Sequence, residues 1–155
     1  MKKILVAYFS ASGVTRERAK LLAEAAKADL YAIRPLDPYT EEDLDWRNKK
    51  SRSSVEMQDT ACRPPLAESA LSLDSYDTVF LGFPIWWGRE PSVVDTFIEA
   101  YALSGKRVIP FCTSGGGGFT HRAQLDALLP GVEDHRELTK ATTADEIRSW
   151  LKNLG

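Results

Sequence analysis

Met1–Thr15, MKKILVAYFSASGVT, decides how the rest of the chain is read. Ile4 to Phe9 is a continuous apolar run, the mark of a strand buried on both faces. Small and hydroxylated residues follow at Ser10, Ala11, Ser12 and Gly13, and a helix begins at Val14. The first N–H groups of such a helix lack intrahelical acceptors and aim back into the loop, at the positive end of the helix dipole. Ser10, Ser12 and Thr15 add hydroxyls, and Gly13 leaves the approach open. That density of donors predicts an anion at this loop, most often a phosphate. The competing reading is a plain strand-to-helix turn capped by Ser12.

Outward from this stretch, strands alternate with helices. Val14–Lys27 places Ala19, Leu22, Ala23 and Ala26 on one helical face. Asp29–Arg34 reads as a second strand ended by Pro35, and Thr78–Phe83 and Val108–Thr113 as further buried strands, with a weak strand near Glu137–Leu138. Pro91 opens a helix carrying Val94, Phe97, Ile98 and Tyr101 at helical spacing, and Gly105 stops it. Leu125, Leu128 and Leu129 mark another helix. A Thr143–Glu146 capping box precedes the last, whose apolar face is Ile147, Trp150, Leu151 and Leu154. Glu41–Gln58 is mostly charged and polar and reads as an irregular or helical surface excursion, with Thr40 and Asp43 resembling a helix start. About five such strand–helix units predict an α/β domain, a three-layer doubly wound parallel sheet of five strands covered on both faces. With no internal repeat or linker, the 155 residues read as one domain, 1–155.

The totals narrow the function classes. A net charge of −2 argues against nucleic-acid binding, which wants a basic face. Cys62 and Cys112 are too few for a disulfide framework and are not spaced as a metal site; Cys112, inside VIPFCTS, reads as a buried thiol. The N-terminal apolar run breaks at Ser10, so it reads as a first strand rather than a signal peptide. No run approaches the roughly 18 apolar residues of a membrane span, and the expected compartment is the cytoplasm.

In an open parallel sheet, ligands bind outside the carboxyl ends of the strands. Three strand-end loops are unusual here. Beside the first, Pro84-Ile85-Trp86-Trp87-Gly88 offers an aromatic wall for a planar ring, although one tryptophan is expected to pack down on its surroundings. Thr113-Ser114-Gly115-Gly116-Gly117-Gly118-Phe119 carries few side chains to block a flat ligand. Other phosphate motifs fail. The Walker pattern and the dinucleotide fingerprint are absent, since position 11 is Ala and the later glycines are consecutive. A phosphoreceiver of the same topology needs acidic strand ends, where this chain has Phe9-Ser10 and Phe83-Pro84. No cysteine phosphatase loop surrounds Cys62 or Cys112.

Together the three loops resemble those of the flavodoxin-like FMN-binding family, in the branch whose second loop reads PIWWG and whose third reads FCTSGG. The resemblance runs from Lys3 to Leu154. It implies the strand order 2-1-3-4-5 and non-covalent FMN. Carried across by residue, it implies that Ser10, Ser12, Gly13, Val14 and Thr15 hold the phosphate. Pro84, Ile85, Trp86, Trp87 and Gly88 would meet the ribityl chain and one side of the isoalloxazine, and Thr113, Ser114, Gly115 and Gly116 the other. Val14 stands where Asn is frequent in the family. Electron chemistry would belong to the flavin, so no metal and no catalytic side chain is required. A backbone carbonyl near Gly88 is expected to accept a hydrogen bond from the reduced ring.

The first functional expectation is electron transfer between redox partners. It calls for an acidic docking face, to which Glu41, Glu42, Asp43 and Asp45 contribute while Arg89 sits beside the aromatic loop. The alternative is an FMN-dependent NAD(P)H oxidoreductase acting on quinones or nitro compounds, with a homodimer as one way to complete its pocket. Arg34, at the end of the second strand, stands where a phosphate-reading residue sits in other folds. A third expectation is an FMN-binding regulatory module using Glu41–Gln58 as its contact. The partner is thus a redox protein or a small electron acceptor, with neither nucleic acid nor membrane.

Overall fold

The computed structural model describes residues 3–67, 71–101, 103–114 and 118–154. In chain order the elements are β1 (Lys3–Tyr8), α1 (Val14–Ala26), β2 (Asp29–Ala32), α2 (Arg52–Gln58), β3 (Tyr76–Pro84), α3 (Ser92–Ala100), β4 (Arg107–Thr113), α4 (Ala123–Leu128), β5 (Arg136–Leu138) and α5 (Ala144–Leu154). The strands form one sheet in the order β2-β1-β3-β4-β5, and every pairing is parallel. The expected architecture and strand order are therefore present. Among the described residues no helix is long and apolar enough to cross a membrane.

The pleat sorts each strand's side chains onto two faces. Leu5, Ala7, Phe9, Val79, Leu81, Phe83, Val108 and Cys112 join one core cluster with Val94 and Phe97 of α3 and Leu125 of α4. Val6, Tyr8, Phe80, Ile109 and Phe111 join the other, with Ala19 and Leu22 of α1 and Ile147 and Trp150 of α5. Burial of both faces is why these strands are continuous apolar runs. Gly82 lies opposite Phe111 in the β3–β4 register, and a Cβ at Gly82 would overlap the Phe111 ring. Cys112 is fully buried, and burial pushes its thiol up to about 12.

Boundaries differ from the sequence reading where chain geometry intervenes. β2 stops at Ala32, and α3 stops at Ala100, well before Gly105. In the Glu41–Gln58 excursion only Arg52–Gln58 is a helix. The capping signal at Thr40 is nonetheless real: Thr40 N donates to Asp43 Oδ2 at 3.0 Å and Asp43 N to Thr40 Oγ1 at 3.1 Å, but they close a turn rather than start a helix. The reciprocal bonds of Thr143 and Glu146, each 3.2 Å, do open α5.

Candidate functional site at the carboxyl rim of the sheet

β1 ends in a loop whose conformation is set by Ser10 and Gly13. Gly13, at φ 97°, occupies the left-handed region that glycine enters without strain, and it is the residue that caps α1. Ser12, read as the capping side chain in the plain-turn alternative, is exposed and does not cap. Ser10 does that work: its Oγ accepts from Gly13 N at 3.1 Å and from Arg16 N at 3.2 Å. The N–H groups of Val14 and Thr15, in the first turn of α1, have no acceptor within the helix. Thr15 is buried, and its Oγ1 lies 2.7 Å from Thr113 Oγ1. Its hydroxyl therefore ties the first loop to the end of β4.

Further bonds bring the other two loops to the same rim. Ile85 N donates to Thr113 O at 3.0 Å, and His121 N donates to Gly88 O at 2.8 Å. Trp86 N and Arg89 O, and Arg89 N and Trp86 O, pair at 2.9 and 3.1 Å around Trp87 and Gly88. Both central residues have positive φ, 51° and 77°, the pattern of a tight hairpin turn. Of the backbone carbonyls near Gly88, its own is thus already engaged by His121. A Cβ on Gly88 would lie 2.5 Å from both His121 Nδ1 and Thr120 Oγ1. In the third loop, Gly118 N donates to Ser114 Oγ at 3.2 Å. Gly115 and Gly116 lie outside the described residues.

The two tryptophans separate as their surroundings demand. Trp86 packs down, edge-on to Phe9 at 5.6 Å and to Tyr39 at 5.3 Å. Tyr39 is held in turn by Arg52, whose guanidinium lies 4.0 Å from the ring centroid, and by a hydrogen bond from its hydroxyl to Glu56. Trp87 stays 45% exposed. Between the first loop, the aromatic turn and the excursion lies a cleft of about 430 Å³, lined by Ala11, Ser12, Leu44, Trp46, Ser53 and Pro84–Trp87. Leu44, Trp46 and Ser53 were not expected there. The signal for Trp46 was present, a lone tryptophan in a charged segment, and it is 71% exposed at the mouth of the cleft. Mostly apolar walls beside a loop with open N–H groups suit a planar ring carrying a phosphate.

Arg89 is not part of a docking face. It is 6% exposed, and its guanidinium faces two fully buried carboxyls, Glu90 Oε2 at 3.5 Å and Asp95 Oδ2 at 3.4 Å, with Ser92 Oγ at 3.2 Å. Gln124 Nε2 completes the cluster, 2.7 Å from Asp95 Oδ2. One cation cannot balance two buried carboxylates. Burial, with the neighbouring Asp95, pushes Glu90 up to about 9, and burial raises Asp95 against the opposing pull of Glu90, Gln124 and Arg89. The Arg89–Glu90–Asp95–Gln124 cluster anchors the base of the aromatic turn to α3 and α4.

Comparison with known proteins agrees with this geometry. The Flavodoxin family profile matches residues 3–154, and the chain belongs to that family. Two solved structures are similar over nearly their whole length. A protein of Bacteroides uniformis ATCC 8492, provisionally assigned as a flavoprotein, is 45% identical, with 97% of this chain and 98% of that one covered and a TM-score of 0.93. A protein of Bacteroides eggerthii DSM 20697 with the same provisional assignment is 46% identical, with 99% and 98% covered and a TM-score of 0.92. A flavoprotein of Lactobacillus acidophilus NCFM, solved in complex with FMN, shares the fold at 20% identity, with 90% and 91% covered and a TM-score of 0.64. No curated protein matches the chain.

Proposed function

We propose that this chain binds FMN non-covalently at the rim described above and transfers electrons through it. The observation that carries the reading is the convergence of the three loops, tied by Thr15–Thr113, Ile85–Thr113 and Gly88–His121. Ser10, Ser12, Gly13, Val14 and Thr15 would hold the phosphate, chiefly through backbone N–H groups of the first turn of α1. Pro84–Gly88 would contact the ribityl chain and one side of the ring, and Thr113–Gly116 the other side. Trp46 and Trp87 would exclude water from the ring and stack against it, contributing on the order of 1 kcal/mol each beyond area burial. FMN would supply the one- and two-electron chemistry. The polypeptide binds and orients the cofactor and sets the polarity around it. The reading includes a cytoplasmic setting, in keeping with free thiols at Cys62 and Cys112.

A specific observation favours the oxidoreductase version over the protein-to-protein carrier. The cleft mouth is edged by exposed tryptophans, and two of the neighbouring carboxylates are already paired, Asp43 with Arg52 at 3.7 Å and Asp45 with Arg47 at 3.6 Å. A small electron acceptor such as a quinone or nitro compound fits an open apolar mouth better than a cationic protein face does. FMN-loaded protein mixed anaerobically with NADPH or NADH tests this. Rapid bleaching of the flavin supports the enzyme. A flavin that bleaches only with an added reductase protein supports the carrier. Protein with no affinity for FMN overturns both.

A further inference from the structure

Three serines of the Glu41–Gln58 excursion are buried almost side by side, and two of their hydroxyls hold the segment together. Ser51, Ser53 and Ser54 are 6%, 2% and 2% exposed. Ser51 Oγ donates to Ser54 Oγ at 2.9 Å, and Ser54 Oγ donates to the Asn48 carbonyl at 2.8 Å, closing the start of α2. Ser53 Oγ is as deeply buried and, among the described residues, has no hydrogen-bond partner. Its backbone is nonetheless fixed, for Ser53 N donates to Asp43 O at 3.0 Å. The neighbouring Arg52 donates to Glu56 Oε2 at 2.9 Å and to Asp37 O at 2.7 Å, and lies over Tyr39, which packs on Trp86. Ser53 is thus held against the wall of the aromatic cleft, and its hydroxyl is left to choose among staggered positions.

A buried hydroxyl without a partner is destabilising, and folded proteins leave few of them. Ser53 borders the cleft, and Ser12, in the loop assigned to the phosphate, supplies the only other hydroxyl among its described lining residues. The remaining walls are alanine, leucine, proline, isoleucine and tryptophan. Such walls suit the faces and the methyl-bearing edge of an isoalloxazine. The opposite edge carries carbonyl oxygens and ring nitrogens, which need hydrogen bonds once they leave water. A serine hydroxyl both donates and accepts, so it satisfies either kind of group. We infer that Ser53 is a ring-binding residue: its hydroxyl turns into the aromatic cleft and hydrogen-bonds the carbonyl-bearing edge of the isoalloxazine, making the excursion after β2 a fourth segment of the site. This inference rests on the FMN reading above and deepens it.

The test compares the parent with Ser53→Ala and Ser54→Ala. Each apoprotein is titrated with FMN and with riboflavin, which has the same ring and no phosphate, and is unfolded in urea. Ser53→Ala should weaken FMN and riboflavin by the same factor, about 5- to 100-fold, as expected when a buried ring atom loses its partner. Its apoprotein should unfold at the parent's urea concentration or above, because the hydroxyl removed was unpartnered. Ser54→Ala, which breaks two bonds, should unfold earlier. Affinity of Ser53→Ala for FMN equal to the parent's overturns the inference alone. So does a loss confined to FMN, which would put the contact at the phosphate end. An apoprotein weakened like Ser54→Ala also overturns it, since Ser53 would then serve the fold through a bound water. Failure of the parent itself to bind FMN removes the cofactor reading and this inference with it.

Discussion

Replacing Gly88 with alanine would strain the aromatic turn at its tightest point. Gly88 has φ +77°, and an added Cβ would lie 2.5 Å from His121 Nδ1 and Thr120 Oγ1. A left-handed backbone costs an L-residue about 1–2 kcal/mol. If the turn moves to relieve the overlap, the Gly88 O to His121 N bond is lost as well, at about 1 kcal/mol. The sum is about 2–3 kcal/mol, and if all of it falls on the binding-competent turn, FMN affinity drops about 30- to 150-fold. The control is Gly105→Ala, which has a similar φ of +81° but nothing within 4 Å and lies before β4, at the opposite end of the sheet. Gly105→Ala should lower thermal stability through backbone strain and leave the FMN dissociation constant alone. Fluorescence titration with FMN and thermal unfolding of both variants make the comparison. If Gly88→Ala binds FMN like the parent while losing no more stability than Gly105→Ala, the claim that this turn and the Thr120–His121 segment shape the site is refuted.

Three other outcomes are expected. Thr113→Val leaves the buried Thr15 hydroxyl without its partner and should cost about 1–3 kcal/mol in chemical denaturation, whereas the Thr15→Val, Thr113→Val double variant should lose much less than the two single losses added together. For Glu90, the folded state holds a proton that the unfolded chain releases near its ordinary value of 4.5, so this contribution to stability is complete below that pH and is lost as pH rises toward about 9. Glu90→Gln should flatten that decline, and an unchanged slope of melting temperature between pH 5 and pH 9 would contradict the upward shift of Glu90. Trp86→Ala should destabilise the fold by about 2–4 kcal/mol, because it empties the Phe9–Tyr39 aromatic cluster. Trp87→Ala should cost less than about 1 kcal/mol in stability yet raise the fluorescence of bound FMN, and equal effects of the two on both measurements would contradict their assignment.

Particular residues show what could be read from the chain and what could not. The order and parallel sense of the sheet follow from strands such as Thr78–Phe83, whose burial on both faces writes an unbroken apolar run. Convergence of the rim loops was legible because all three follow the carboxyl ends of such strands. Trp46 and Leu44 were not, because Glu41–Gln58 has no period to follow. Its course is set by distant contacts, Arg52 and Glu56 gripping Tyr39, which itself packs on Trp86. Arg89 misled for a related reason: a cation beside a loop ordinarily faces water, and its burial is decided by Glu90, Asp95 and Gln124. Gln124 arrives from α4, far along the chain, where no local pattern announces it.

The pairing of Gly82 with Phe111 works as a key between the two strands that carry the aromatic turn and the third loop. The Phe111 ring occupies the space that only a glycine leaves open. A slip of β4 by a single position would set that ring against Leu81 or Phe83 and turn every β4 side chain to the wrong side of the sheet. It would also displace Thr113 from Pro84 by about 3.3 Å along the strand, more than the loop-to-loop bonds at the rim can follow. One absent side chain deep in the sheet thereby sets how two distant bends line up.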